Sequence, residues 1–270
     1  MSRIKVVIAV SIAALLLCVS CVLAGEQFKQ SFDKSLPLKA GDRFSLANVN
    51  GGVSVSTWAE DWVEIKAVKT ARGHEEDLDK VEIRVEEVAG GVSVKAVWPK
   101  FPRRANVDVE FTVRVPEGVV LDEVETVNGD VAVRGRYSRA RVGTTNGSVT
   151  VEDGAGELEA DTTNGSIRVS RFDGRVKAET TNGQIKLDAV ALKDGLSAET
   201  TNGGITVSVA SPETLNADLR ASTTNGHVSV DFPITLQNLS QSKRRIEGRI
   251  GQGGPEIRLH TTNGSISLTR

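Results

Sequence analysis

Aromatic residues make up only 4% of this chain, and its two cysteines, Cys18 and Cys21, both precede Gly25. So few rings argue against a bulky globular core, and the cysteine positions exclude a disulfide framework for everything from Gly25 onward. Beyond the N-terminus no apolar run is long enough to cross a membrane as a helix. Neither sign of charge dominates: 33 Lys and Arg stand against 35 Asp and Glu, a formal net charge of −2. That balance excludes the basic stripe with which nucleic-acid binders displace counterions, so no nucleic-acid partner is expected. The one basic cluster, Lys243-Arg244-Arg245, reads as a solvated loop or strand end.

What the chain does have is glycine, 26 residues of it, and aliphatic side chains in short alternating runs. Val, Ile and Leu at every second position suit a pleated surface with one face buried, so the fold class is all-β.

Residues 1–24 read as a signal peptide, with Arg3 and Lys5 as the basic start, an apolar run from Val6 to Leu17, and Val22-Leu23-Ala24 as the cleavage site. A second reading is a lipoprotein signal, in which Val19-Ser20 precede an acylated Cys21; Cys18 stands where a Leu is the norm. Both readings export the chain to the periplasm, outer membrane or cell surface. Only the second attaches it to a membrane, through lipid at Cys21.

The decisive feature is an internal repeat. Thr-Thr-Asn-Gly begins at Thr144, Thr162, Thr180, Thr200, Thr223 and Thr261, preceded by a degenerate Thr126-Val127-Asn128-Gly129. Asn128, Asn146, Asn164 and Asn182 are each 18 residues apart, and Asn202, Asn225 and Asn263 follow after 20, 23 and 38. The last gap reads as about two coils, one lacking the motif. Strict alternation flanks each motif, as in Val176-Lys177-Ala178-Glu179 before it and Ile185-Lys186-Leu187-Asp188 after it.

Asn-Gly between alternating strands also signals a two-residue antiparallel hairpin, so a meander, barrel or propeller competes with a solenoid. A hairpin needs only Asn-Gly, whereas here both preceding threonines recur. The pattern therefore favours a parallel β-solenoid, β-helix-like, right-handed and single-stranded, with coils of about 18 residues turning at Asn-Gly. Residues 25–125 form an N-terminal β-repeat region with longer, irregular coils, and 126–270 the regular region, in one continuous solenoid. Stacking in register would align the seven asparagines Asn128, Asn146, Asn164, Asn182, Asn202, Asn225 and Asn263 as a side-chain amide ladder. The glycine after each is expected to supply a positive φ. Extra residues fall in the opposite connection, at Ala189 to Gly195 and Ala210 to Ala217.

With the Asn-Gly coils, the Asn50-Gly51-Gly52-Val53 start, the Val113-Arg114-Val115-Pro116-Glu117-Gly118 bridge and the Gly251-Gln252-Gly253-Gly254 closing turn, the chain resembles the bacterial putative-adhesin family of β-strand repeat proteins. The likeness covers roughly residues 36–270. It implies a β-solenoid-like envelope protein of a family that is itself a domain of unknown function, and it brings no catalytic residue, cofactor or metal site.

Nothing in the pattern assembles an active site. His74, His227 and His260 lack partners at metal-ligand spacing, the serines sit at turn-edge positions of a repeat, and there is no Gly-x-Ser-x-Gly elbow or phosphate loop. One column carries chemistry: Asp161, Glu179 and Glu199 precede the threonines on successive coils, where stacked acids could hold a cation or protonate a glycosidic oxygen. Gly143, Ser222 and His260 take that position elsewhere, and Arg168 and Lys186 are expected to neutralise the acids in part. The threonine pairs leave a single outward column, too narrow for an ice-binding array. The sequence is thus read as a non-catalytic exported scaffold or adhesin-like interaction protein, with envelope proteins or surface glycans as partners and no cofactor. Two rivals are a carbohydrate-active β-helix enzyme using the surface carboxylates and a regulatory partner in the envelope-stress response.

Overall fold

The structure, a computed structural model, describes residues 27–99 and 105–270, with only the backbone of 236–241. The signal segment and Cys21 lie outside the described residues. The described residues are all-β, with two parallel-rich sheets of 11 and 12 strands in a solenoid-like stack.

The regular coils explain the architecture. Each contributes a longer strand ending at the repeat asparagine and, beyond the glycine, a shorter one in the facing sheet. The pairs are β8 (Val120–Asn128) with β9 (Val131–Arg134), β10 (Arg139–Asn146) with β11 (Val149–Glu152), and β12 (Ala155–Asn164) with β13 (Ile167–Ser170). They continue as β14 (Asp173–Asn182) with β15 (Ile185–Val190), and β16 (Leu196–Asn202) with β17 (Ile205–Val209). Successive coils pair in parallel, Asn146 opposite Asn164 and Asn164 opposite Asn182 in the long-strand sheet, Ile167 opposite Ile185 in the short-strand sheet. A coil therefore gives two strands to two facing sheets.

Alternation places the core between the sheets. In one coil Leu158, Ala160, Ile167, Val169 and Phe172 are buried, and the neighbouring coils repeat them with Val176, Ala178, Ile185 and Leu187. No coil could bury these side chains alone; each needs the coil above and below. At the corner opposite Asn-Gly the chain turns through the left-handed region at Gly135, Asp153, Arg171 and Ala189, with φ of 105°, 54°, 52° and 50°. Three of the four are not glycine, and Arg171 Nε donates to Asp153 Oδ1 at 2.6 Å across that corner.

The N-terminal part departs from simple coils. It comprises β1 (Gln27–Pro37), β2 (Arg43–Ala47), β3 (Val53–Trp58), β4 (Trp62–Arg72), a 3-10 turn (Glu75–Lys80), β5 (Glu82–Val88), β6 (Gly91–Val97) and β7 (Val107–Pro116). The first coil, β2 with β3, lies between β6 and β8 in one sheet and between β7 and β9 in the other. Antiparallel strands β4 and β1 extend the short-strand sheet beyond β7, and β5 extends the other beyond β6. Phe28 and Phe32 of β1 pack on the end of the core. Lys69 points inward beneath the 3-10 turn, donating to the Leu78 and Val81 carbonyls at 2.7 and 3.0 Å.

The C-terminal end corrects the expectation of two coils between Asn225 and Asn263. After β18 (Ala217–Asn225) and β19 (Val228–Val230) comes an antiparallel hairpin, β20 (Ile234–Ser242) with β21 (Arg245–Ile250), which covers the outer edge of β18. The last coil, β22 (Glu256–Asn263) with β23 (Ile266–Thr269), then inserts between β16 and β18 and between β17 and β19. Both the first and the last coil of the chain thus sit one place inside the stack rather than at its ends.

Candidate functional site

The repeat motif makes three columns at the turn. The first threonine of each motif points inward and is buried, Thr162 5% and Thr261 0% exposed. Its hydroxyl donates to the glycine carbonyl of the neighbouring coil, Thr162 to Gly147 at 2.9 Å and Thr180 to Gly165 at 3.0 Å. At the N-terminal end Asn48 takes this place, its amide reaching the Gly51 and Val109 carbonyls at 3.0 and 2.9 Å.

The asparagine amides bond in a single direction: Asn128 to Asn50, then Asn146, Asn164, Asn182 and Asn202, each to the one before it, at 2.8 to 2.9 Å. Asn263 donates to Asn202 and Asn225 to Asn263, both at 2.8 Å. Asn50 is the rung that the sequence reading leaves out, although Asn50-Gly51 carries the signal.

The third column is glycine; Gly129, Gly226 and Gly264 have the expected positive φ, at 156°, 158° and 159°, but the four between Gly129 and Gly264 in the stack have another reason. Gly147, Gly165, Gly183 and Gly203 are not in the left-handed region. A Cβ on any of them would instead collide with the glycine carbonyl oxygen of the preceding coil. The coils approach too closely for a side chain.

The carboxylate column lies on the outer face of the long-strand sheet. Glu125, Gly143, Asp161, Glu179 and Glu199 are register partners on successive strands, so Glu125 belongs to a row from which the sequence reading omitted it. Gly143 leaves room for Asp161 to lie across it; a Cβ there would meet Asp161 Oδ2 at 2.6 Å. Partial desolvation, with like charge from Glu159 and Glu179, pushes the Asp161 carboxyl above the usual range. Desolvation with Glu123 and Asp161 does the same to Glu125.

The expected neutralisation by Arg168 and Lys186 does not occur, because both sit on β13 and β15 in the facing sheet. The cations that serve the acids come from the same face. Lys177 Nζ stands 2.9 Å from Glu159 and 3.1 Å from Glu179, and Arg141 Nε is 3.0 Å from Glu159. Bonds from Lys177 and Arg141 hold the Glu159 carboxyl below its ordinary value. The result is a mixed-charge ladder with an open groove of acids and outward threonines such as Thr163, Thr181 and Thr201.

Beyond Glu199 the same row changes character, to His260, Ser222 and Arg245. Ser222 Oγ lies 3.0 Å from His260 Nδ1, and at the turn Ser265 Oγ lies 3.0 Å from His227 Nδ1. These pairs arise because β18 to β19 and β22 to β23 stack as neighbours. Among the described residues no cluster of three or more His, Cys, Asp or Glu is placed to hold a metal ion, and no helix is long and apolar enough to cross a membrane.

A family model described as Toastrack DUF4097 matches residues 35–269. The chain belongs to that family. As a toastrack protein it is the member of a domain family of unknown function, in agreement with the resemblance carried by its Asn-Gly coils. Similar solved structures include a putative cell adhesion protein from Clostridium sporogenes, 14% identical over 89% of this chain and 99% of the other, with a TM-score of 0.37. Another is a putative adhesin from Bacteroides fragilis, 11% identical over 89% and 96%, with a TM-score of 0.42. A third is a putative lipid binding protein from Parabacteroides distasonis, 12% identical over 89% and 97%, with a TM-score of 0.35. No curated protein matches the toastrack chain in sequence.

Proposed function

We propose that this toastrack protein is an exported, non-catalytic envelope scaffold that works as an adhesin-like interaction module, offering its outer sheet faces to surface glycans or envelope proteins. One observation carries the reading. Asp161, Glu179 and Glu199 stand side by side on successive strands of an open sheet face, each a strand spacing from the next, in a ladder that Lys177 and Arg141 cross-link. General acid and base catalysis needs polar groups that converge on one reacting atom in a water-excluding site. A row of parallel side chains on a flat face presents a repeated surface instead, which suits recognition of a repeated or extended partner.

The competing reading, a carbohydrate-active enzyme, draws on the raised Asp161 carboxyl beside Glu179. A glycan-array screen of the mature chain, followed by a hydrolysis assay on envelope polysaccharides, separates the two. Binding without turnover is the expected result. Release of reducing ends that Asp161→Asn abolishes would replace the scaffold by the enzyme.

A further inference from the structure

We propose that the arginine-bearing end of the long-strand sheet's outer face is a binding site for the oxyanion of an acidic saccharide, a carboxylate or phosphate carried on a hydroxylated ring. The proposal rests on the adhesin-like reading and names the chemistry of its ligand.

The carboxylate row stops at Glu199. The same row and the one beside it then carry His260, Ser222, Arg245, Arg258 and Arg220, contributed by β22, β18 and β21. These residues and Glu199 line one depression of about 480 Å³. It exists because the last coil inserts between β16 and β18, bringing together strands distant in sequence. In the row of Arg141, Glu159 and Lys177 cations and acids alternate from strand to strand. Here Arg258 and Arg220 are direct register partners on adjacent parallel strands. Like charges directly opposite each other destabilise a sheet, a cost that a carboxylate or phosphate near both guanidinium groups would relieve.

Among the described residues Glu256 is shared by that pair, 3.0 Å from Arg220 Nη1 and 3.2 Å from Arg258 Nη2, and Arg220 also has Glu247 as a register partner. One carboxylate serving two guanidinium groups fixes their orientation, and with Glu199 and Glu247 the acids match the three arginines in number. Arg245 is held in turn by Glu247, at 3.1 Å from Nε and 2.6 Å from Nη2. Guanidinium forks held this way are pre-organised for a carboxylate or phosphate. His260 uses Nδ1 toward Ser222, so Nε2 is the ring nitrogen left for a ligand.

The acids of the depression decide which anion fits. Glu199 and Glu247 repel a bare oxyanion but accept hydrogen bonds from hydroxyl groups. A ligand carrying both an oxyanion and neighbouring hydroxyls satisfies the guanidinium groups and the carboxylates together. Only Ala221 and Leu259 are apolar in the lining, and it contains no Phe, Tyr or Trp. The apolar, aromatic centre of a protein interface is missing from it.

Titration of the full mature chain with glucuronate, glucose 6-phosphate, glucose and inorganic phosphate, followed by NMR of the arginine side chains and the imidazoles, tests the site. Saturable shifts at Arg220, Arg245, Arg258 and His260 are expected with one or both acidic sugars, and which one shifts them distinguishes carboxylate from phosphate. Glucose and inorganic phosphate should be much weaker. The double variant Arg220→Gln with Arg258→Gln should bind roughly tenfold or more weakly, while Arg175→Gln, exposed on the same face of β14, should bind like the parent. Equal loss in Arg175→Gln, or shifts as large with inorganic phosphate, would reduce the site to diffuse surface charge and overturn it. If the parent binds glycans on the array and the double variant binds them equally, the site fails and the adhesin-like reading stands. If the parent binds no glycan and none of the four probes, both fail.

Discussion

Asn263 donates its side-chain amide to Asn202 at 2.8 Å although 61 residues separate them, and in the same ladder it accepts from Asn225. The last coil therefore occupies an interior place in the stack, with a parallel partner on each side of both its strands. Chain ends ordinarily fray. This one should not: in native-state hydrogen exchange the amides of Ile266 to Thr269 should be protected to the same degree as those of Ile205 to Val209. Fast exchange at β23 would place the last coil at an end and refute the insertion.

The two polar columns at the turn differ in burial, and that sets their relative weight. Thr180 is 7% exposed and its hydroxyl satisfies the Gly165 carbonyl, whereas the Asn182 amide bonds in contact with water. Thr180→Val keeps shape and strand propensity but removes the donor, so about 1 to 2 kcal/mol of stability should be lost in urea unfolding. Asn182→Ala lets water replace the missing rungs and should cost about 0.5 to 1 kcal/mol. A larger cost for Asn182→Ala would show that the exposed ladder, not the buried hydroxyls, holds the turn.

Gly203 and Gly204 are neighbours with different roles. A Cβ on Gly203 would run into the Gly183 carbonyl, while one on Gly204 would meet nothing closer than the Ser265 carbonyl at 3.1 Å. Gly203→Ala must push two coils apart and should destabilise by about 3 kcal/mol or more, or prevent folding. Gly204→Ala should cost within about 1 kcal/mol. Thermal melts of the two variants give the comparison, and equal effects would contradict close approach as the reason for the glycine column.

The repeat made the stacked coils legible, because an identical residue at a fixed spacing is what in-register stacking demands, and the alternation of Val176 with Lys177 told which face is buried. It could not tell the order of the coils. Asn225 and Asn263 carry the same motif as Asn202, so either could sit beside it, and only long-range pairing of β22 decides. The antiparallel β4 and β21 were hidden for a related reason: alternation has period two whichever way a strand runs. The carboxylate row was read from Asp161, Glu179 and Glu199 but lost Glu125, which precedes the degenerate Thr126-Val127 motif. The arginine cluster was illegible, since Arg220, Arg245 and Arg258 become neighbours only through the insertion.

The carboxylate row also predicts how stability responds to pH. The Asp161 carboxyl is raised by partial desolvation and by Glu159 and Glu179, so the folded chain binds its proton more tightly than the unfolded chain. Its favourable contribution is complete below the ordinary value of 3.8 and is lost as pH rises through the folded value. Glu159, lowered by Lys177 and Arg141, acts in the opposite sense: its contribution is present above 4.5 and is lost on acidification. Asp161 still reaches water, so solvent screening keeps its effect modest. Asp161→Asn should therefore raise the melting temperature at pH 7 relative to the parent and lose that advantage at pH 3. Glu159→Gln should lower it at pH 7 and converge on the parent in acid. A melting temperature for Asp161→Asn that stays below the parent at pH 7 would mean that the carboxylate is held by a partner cation rather than crowded by its neighbours in the row.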